Sequence, residues 1–157
     1  MKTIIISGTP GTGKSTLAKV LSKKLKYQEL DLKPIIKKIS EGYDKEKECE
    51  IIDIKKFNKE IIERINKRNL IIASHLIHNL PKKYVDLCII TKCDLKELKK
   101  RLHKRKYSPS KVKENLECEI FDVCLGEAKK HKVLVVDTSK KIDIKELTKK
   151  IKRGLSH

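Results

Sequence analysis

The sequence predicts an α/β fold, a five-stranded parallel sheet with helices on both faces. Three observations point to it. Short apolar runs alternate with stretches of helical periodicity along the whole chain. The first of these runs leads into a glycine-rich turn and from there directly into a helix. The 157 residues contain no internal repeat and no low-complexity linker, so a single domain is expected, long enough to bury roughly 70% of the unfolded chain's surface.

The elements follow in order. Lys2–Ser7 (KTIIIS) reads as a buried strand. A helix is expected from about Gly13 to Leu25, with Leu17, Val20, Leu21 and Leu25 on one face. A short second strand fits near Tyr27–Leu30, and residues 31–54 are less regular, with Pro34 and the turn-like EGYDKEKECE. Phe57, Ile61, Ile62 and Ile65 mark a helix that leads into a third strand, Leu70–Ala73. Pro81 precedes a fourth strand over 84–91, and Asp94-Leu-Lys-Glu97 is a capping-box-like helix start with Leu95, Leu98 and Leu102 facing inward. The basic stretch HKRKYSPSK (103–111) breaks the pattern. Val112, Leu116, Ile120 and Val123 then predict one helix, KVLVVD (132–137) a fifth strand, and Ile144, Leu147 and Ile151 a closing helix.

Thirty-nine Lys and Arg against 21 Asp and Glu give a formal net charge of +18. Such a field attracts phosphate, whether on a nucleotide or along RNA. With four Tyr, two Phe and no Trp there is little material for a base-stacking platform. No run approaches the ~20 apolar residues of a membrane span, and the first residues enter a strand rather than a signal peptide. A cytoplasmic protein with no membrane contact is expected. The five cysteines form no C-x-x-C pair, which predicts reduced, partly buried thiols.

Residues 8–15, GTPGTGKS, match G-x-x-x-x-G-K-[ST] at every fixed position and lie between a strand and a helix, where the mechanism requires them. Glycines let the backbone wrap around phosphate, and the helix N-terminus supplies positive potential. Lys14 is expected to reach the β- and γ-phosphates, Ser15 to donate its hydroxyl oxygen to Mg²⁺, and Thr16 to meet a phosphate. A P-loop nucleoside-triphosphate site follows. Such loops usually have an acid at the end of a neighbouring strand to manage Mg²⁺; here that strand ends Ala73-Ser74-His75.

TKCD (91–94) resembles the guanine-reading [NT]-K-x-D signature, which raises a GTPase-like switch as an alternative. No D-x-x-G segment accompanies it, and Asp94 reads more simply as a helix cap. Arg101 and Arg105, one helical turn apart, project from the same face at the entry to the basic stretch. Cations on a closing flap are what phosphoryl transfer needs, because negative charge spreads over the migrating group.

With these residues in place, the chain resembles the adenylate kinase isoenzyme 6 family. The resemblance is carried by TIIISGTPGTGKSTLAK at the start and by RLHKRKYSPSKVKENLECEIF (101–121), above all Arg105-x-Tyr107 and NLECEIF. It implies a nucleoside-monophosphate kinase fold with the phosphate-loop strand at the sheet centre, an associated ATPase activity and a role in small-ribosomal-subunit maturation. The family's ATP-binding positions fall on Gly11, Gly13, Lys14, Ser15 and Thr16, and its flap arginine on Arg105, in a lid at about 104–114. Its monophosphate-binding region falls on about 30–53, including Asp31, Gly42 and Tyr43. The family's D-x-H element becomes Ala73-Ser74-His75, so the histidine matches and the acid does not.

The expected activity is transfer of the γ-phosphoryl of ATP to AMP, giving two ADP, with slow ATP hydrolysis alongside. Lys14 and Arg105 would stabilise the developing charge, Ser15 would place Mg²⁺ with phosphates and water, and Ser74 or Asp31 would take the water contacts of the missing acid. His75 would orient a water or touch a phosphate. A monomer is expected. The alternative is an ATP-gated assembly factor that binds a small-subunit ribosomal protein and rRNA with little kinase activity.

Overall fold

A computed structural model describes residues 1–156. Its elements are β1 (Thr3–Ser7), α1 (Lys14–Leu25), β2 (Gln28–Glu29), α2 (Lys33–Ile39), β3 (Tyr43–Asp44), β4 (Cys49–Glu50), α3 (Ile54–Ile62), β5 (Leu70–Ala73), β6 (Leu87–Lys92), α4 (Leu95–Lys104), α5 (Pro109–Ile120), α6 (Val123–Glu127), β7 (Val133–Asp137) and α7 (Ile144–Leu155). Five strands form one parallel sheet in the order β2-β5-β1-β6-β7, with the β3–β4 hairpin separate. The strand that leads into the phosphate loop is central, as the family resemblance implies.

Why β1 is central follows from its side chains. Ile4 and Ile6 point to one face of the sheet and Ile5 to the other, and none of the three is exposed. On one face Ile5 packs with Phe57, Ile61, Ile72 and Ile77; on the other Ile4 and Ile6 pack with Leu17, Leu21, Leu147 and Ile151. Each fully buried Ile is worth about 1.5–3 kcal/mol, so a strand with apolar residues on both faces is most stable in the middle. A third cluster of Cys93, Leu98, Leu102 and Val112, flanked by Tyr107 and Leu116, locks α4 to α5.

The structure corrects four details. Strand β6 begins at Leu87 rather than at residue 84, because Lys82–Tyr84 forms a 3₁₀ turn and Asp86 accepts from the Thr3 amide at 2.7 Å. Leu95 does not face inward; it is 41% exposed at the first turn of α4, while Leu98 and Leu102 are fully buried. The helix expected to run from Val112 through Val123 is two helices, broken where Asp122 takes a left-handed conformation, and Ile120 and Val123 are exposed. The buried face of α5 is Val112, Asn115 and Glu119 instead. This face defeats apolar periodicity because the helix packs against a polar phosphate loop. The stretch 103–111, expected to break the pattern throughout, is irregular only over Arg105–Ser108, since α4 runs to Lys104 and α5 starts at Pro109.

Candidate functional site

Strand β1 delivers the chain to the phosphate loop, and three sets of contacts fix the loop's shape. Gly8 presses against β6 so closely that a Cβ there would meet the Thr91 carbonyl at 2.7 Å. The Thr12 hydroxyl, fully buried, reaches Thr9 O at 2.6 Å and Thr91 Oγ1 at 2.7 Å. Arg101 braces the far side, donating to Thr138 O at 2.7 Å and Gly11 O at 3.4 Å. Of the two arginines expected on one face, Arg101 is therefore a structural clamp, while Arg105 is exposed and faces the cleft.

Helix α1 starts after Gly13, whose φ of 86° suits glycine, with no capping side chain and no acid in its first turn. Its first amide groups remain for an anion, and Ser15 and Thr16 are exposed beside them. Lys14 folds back to donate to Gly8 O at 2.9 Å and Thr9 O at 3.1 Å. Burial lowers its pKa to about 8, with nearby Cys124 and Glu119 opposing and Arg105 assisting.

Glu119 is the buried anchor beneath this loop. Its carboxylate accepts from Thr9 Oγ1 at 3.0 Å, from the Cys93 amide at 2.7 Å and from Lys92 Nζ at 2.9 Å. Lys92 also pairs with Asp122, and Asp94 caps α4 by accepting from the Glu97 amide. The residues that resembled a guanine-reading signature are thus committed to structure.

A cleft of about 620 Å³ opens in front of the loop. Its walls are the loop itself, the β5 end (Ala73-Ser74-His75), the tip of the β3–β4 hairpin (Lys47–Cys49), Arg105 and one face of α5. A second pocket, beyond the loop, is lined by Gly13, Val20, Arg105, Ile142 and Ile144. Arg105 lines both and stands at their junction.

His75 is open to the cleft yet ringed by protein. Desolvation, then the charges of Lys14, His78 and Lys111, lower its pKa to about 4, so it is neutral near pH 7. His78 is buried and fully engaged: Nδ1 meets Ser7 Oγ at 2.7 Å and Nε2 meets Glu127 Oε2 at 2.6 Å. Neither nitrogen is free for a metal.

Ala73 leaves no carboxylate at the β5 end, but a pocket of about 520 Å³ there is lined by Ser15, by Glu29 and Asp31, at and just after the end of β2, the neighbouring strand, and by Lys19 and Lys33. Ser15, Glu29 and Asp31 offer oxygen donors of the kind Mg²⁺ takes, through waters it keeps, while the two lysines offset their charge. Glu29 carries no sequence signal that marks it; only strand adjacency brings it here. Gly42 and Tyr43 do not line the cleft: Gly42 O accepts from Ile51 in the hairpin, and Tyr43 is 57% exposed. The hairpin instead contributes Glu48, whose carboxylate accepts from the Ser108 hydroxyl at 2.8 Å and from its amide, at the start of α5. This cross-strap closes the cleft between hairpin and basic segment, and no local motif announces it.

A family profile described as an AAA domain matches residues 4–122. A Dictyostelium discoideum protein named adenylate kinase isoenzyme 6 homolog is 36% identical over 128 residues, 80% of this chain and 73% of that protein. The chain belongs to this family. A Methanocaldococcus jannaschii relative, provisionally named an adenylate kinase, is 36% identical over 157 residues, 98% of this chain and 86% of its own. Among solved structures, deoxyadenosine kinase from M. mycoides with bound dATP superposes with a TM-score of 0.63 at 18% identity, over 97% of this chain and 100% of that one. Shikimate kinase from Acinetobacter baumannii gives 0.62 at 16% identity, over 98% and 92%. These two share the fold of P-loop kinases. Family and fold together make this a nucleotide kinase of the nucleoside-monophosphate-kinase type. No helix among the described residues is long and apolar enough to cross a membrane.

Proposed function

We propose that the protein transfers the γ-phosphoryl group of ATP to AMP, giving two ADP, and hydrolyses ATP slowly when no acceptor is present. One observation carries this reading: Arg105 stands between two pockets that lie on either side of the phosphate loop. The pocket by Val20, Ile142 and Ile144 sets these apolar side chains opposite Arg101, Lys104 and Arg105, a mix suited to the adenine and phosphates of ATP, and the larger cleft has room for an acceptor nucleotide.

ATP enters with its phosphates on the α1 amides, at Gly11, Gly13, Lys14, Ser15 and Thr16. Its charge draws Lys14 off the loop carbonyls and onto the β- and γ-phosphates. Arg105 reaches the migrating group from the lid side, and together these cations offset the charge that spreads over its equatorial oxygens. The acceptor phosphate is already an anionic nucleophile, so no general base is demanded. When water is the acceptor, neutral His75 orients it by hydrogen bonding, and the proton passes to the phosphate oxygens or to solvent, since an imidazole held at a pKa of about 4 is too weak a base to keep it. Ser15 would hold Mg²⁺ with the phosphates and water, with Asp31 and Glu29 accepting from those waters; the ion supplies charge neutralisation of the β- and γ-phosphates. Lid and monophosphate regions correspond to about 104–114 and 30–53 of one kinase domain, a monomer acting in the cytoplasm.

ADP formation from Mg·ATP, with and without AMP, tests the reading. Strong acceleration by AMP with two ADP per ATP consumed is expected. No acceleration overturns it and leaves the second reading, an ATP-gated factor in small-subunit (16S) rRNA maturation that binds a ribosomal protein and rRNA. The net charge of +18 supports that role. A homolog from Saccharomyces cerevisiae, 35% identical over 128 residues, is named adenylate kinase isoenzyme 6 homolog FAP7.

A further inference from the structure

Half of the chain's net charge of +18 sits on two helices that pack on one face of the sheet, α1 with its cap Lys26 and α7. The first carries five lysines and no acid; the second carries four lysines, one arginine and a single acid, Glu146. Their apolar faces are committed to the fold. Leu17, Ala18 and Leu21 of α1 and Leu147 and Ile151 of α7 share one core cluster with Ile4, Ile6 and Leu87. Lys14 lines the cleft and Lys19 the pocket beside it. Lys23, Lys24, Lys26, Lys149, Lys152 and Arg153 line neither and are exposed to solvent.

These six lie toward the far end of the sheet from the phosphate loop. Both helices run back along the strands and finish where strands begin: Gln28 opens β2 just after Lys26, and a Cβ on Gly154 would meet Leu87, the first residue of β6, at 3.3 Å. Lys24 is about 15 Å along the helix axis from Lys14. At the same edge Lys132 donates to Gly154 O at 2.6 Å. Elsewhere lysines find acids: Lys38 pairs with Glu60, Lys56 with Glu41 and Lys92 with Asp122. Here, among the described residues, the five lysines have no ion-pair partner and Arg153 has only Glu146, at 3.6 Å. The helix dipole accounts for a cation in each last turn, but not for Lys149 or for an α1 without a single acid. Like charges gathered on one face repel and cost stability, a cost that a bound polyanion removes.

We propose that the outer face of α1 and α7 binds the phosphate backbone of double-stranded RNA. The inference is independent of the kinase reading; its biological use rests on the assembly-factor reading, to which it gives a definite surface. The side chains disfavour other polyanions. An amphipathic helix enters an anionic membrane through apolar side chains, and none of the large exposed apolar residues lies on α1 or α7. Single strands are held by stacking on aromatic rings, and neither helix has one. Contact through charge and shape is left. Packed helices lie about 8–10 Å apart, so each presents its own row of cations. The deep, narrow major groove of an A-form duplex brings two phosphate strands close together, one for each row. Binding is independent of sequence, because these lysines meet phosphates rather than base edges.

Fluorescence anisotropy with a labelled RNA duplex of about 20 base pairs tests this across a salt series. Two variants lose equal charge: Lys23→Gln, Lys24→Gln, Lys149→Gln and Lys152→Gln together on this face, and Lys55→Gln, Lys59→Gln, Lys99→Gln and Lys129→Gln together elsewhere. Glutamine preserves helix propensity. Wild type should bind the duplex with an affinity that falls steeply with salt. The face variant should bind at least about tenfold more weakly near 0.15 M salt, with a salt slope shallower by about 3–4, and the control variant within about threefold of wild type. The face variant should also form ADP at the wild-type rate and melt at the wild-type temperature or above. Equal losses in the two variants overturn the proposal, since net charge would then suffice. So does a face variant that melts well below wild type, the mark of lysines that support the fold. A single strand or a DNA duplex bound as tightly as the RNA duplex, or anionic vesicles bound in preference to it, refutes it too. Duplex RNA bound equally by wild type and face variant defeats this surface alone, whereas a wild type that binds none defeats the assembly-factor reading as well. Acceleration of ADP formation by AMP judges the kinase reading separately.

Discussion

Replacing Glu119 with Ala should cost about 3 kcal/mol of folding stability, the lower end of the range for breaking a buried ion pair. The structure sets that figure. Glu119 is 5% exposed, and its loss strips the acceptor from the Cys93 amide and the Thr9 hydroxyl, both buried. Each such orphan costs about 1–3 kcal/mol. Lys92, however, keeps Asp122 and the backbone carbonyl of residue 119, so no cation is left unpaired and the upper end does not apply. Glu119→Gln retains an acceptor for the Cys93 amide but sets an NH₂ donor where Oε1 accepted from Thr9 and Lys92, so it should cost about 1–3 kcal/mol, no more than the alanine variant. Urea unfolding followed by circular dichroism reads both values at unchanged m. In a chain of this size the alanine variant should melt about 6–12 °C lower. Because the same carboxylate holds Thr9 of the phosphate loop, ATP affinity should fall in the order wild type, Gln, Ala. A loss below about 1 kcal/mol for Glu119→Ala would refute the claim that α5 is anchored through this ion pair.

Four other outcomes follow from the geometry. Lys14→Ala should abolish phosphoryl transfer while leaving the melting temperature near wild type, checked by coupled ADP assay and calorimetry. Glu48→Ala should free the strap to Ser108, so limited trypsin digestion at Arg105 and Lys106 should accelerate several-fold, with little change in global stability because the contact is partly exposed. Ala73→Asp restores a carboxylate beside Ser15 and should lower the Mg²⁺ concentration needed for half-maximal activity, measured by Mg²⁺ titration at fixed ATP. Stability should fall on acidification: burial holds His75 (about 4) and His131 below the ordinary imidazole value, so the unfolded chain takes up protons first. The loss begins near pH 6.5 and continues toward pH 4, and His75→Gln should flatten part of it in thermal melts across that window.

Much of the fold was legible because its signals are local. Ile4–Ile6 and Leu70–Ile72 are continuous apolar runs, which mark strands buried on both faces, and Leu17 and Leu21 repeat at helical spacing. The phosphate loop was legible for the same reason, since glycine, lysine and hydroxyl must sit within a few residues of one another to wrap one phosphate. Apolar periodicity failed at α5, where two of the three buried residues, Asn115 and Glu119, are polar. The partners of Glu119, which are Thr9, Lys92 and Cys93, lie far from it in sequence. It failed again at Leu95, where the start of a helix turned a leucine outward.

Local sequence was enough to specify a parallel sheet, a phosphate-loop motif between its first strand and first helix, and a β5 that ends without an acid. Folding of the whole chain was needed to make Arg101 brace the loop while Arg105, one turn on, lines both pockets. It was needed, too, to place Asp31 and Glu29 near Ser15, Glu48 against Ser108, and Glu119 beneath Thr9. The division is one of range. Periodicity and motif spacing are set by backbone geometry over a few residues, whereas ion pairs, straps and pocket walls join side chains brought together only when the whole sheet closes.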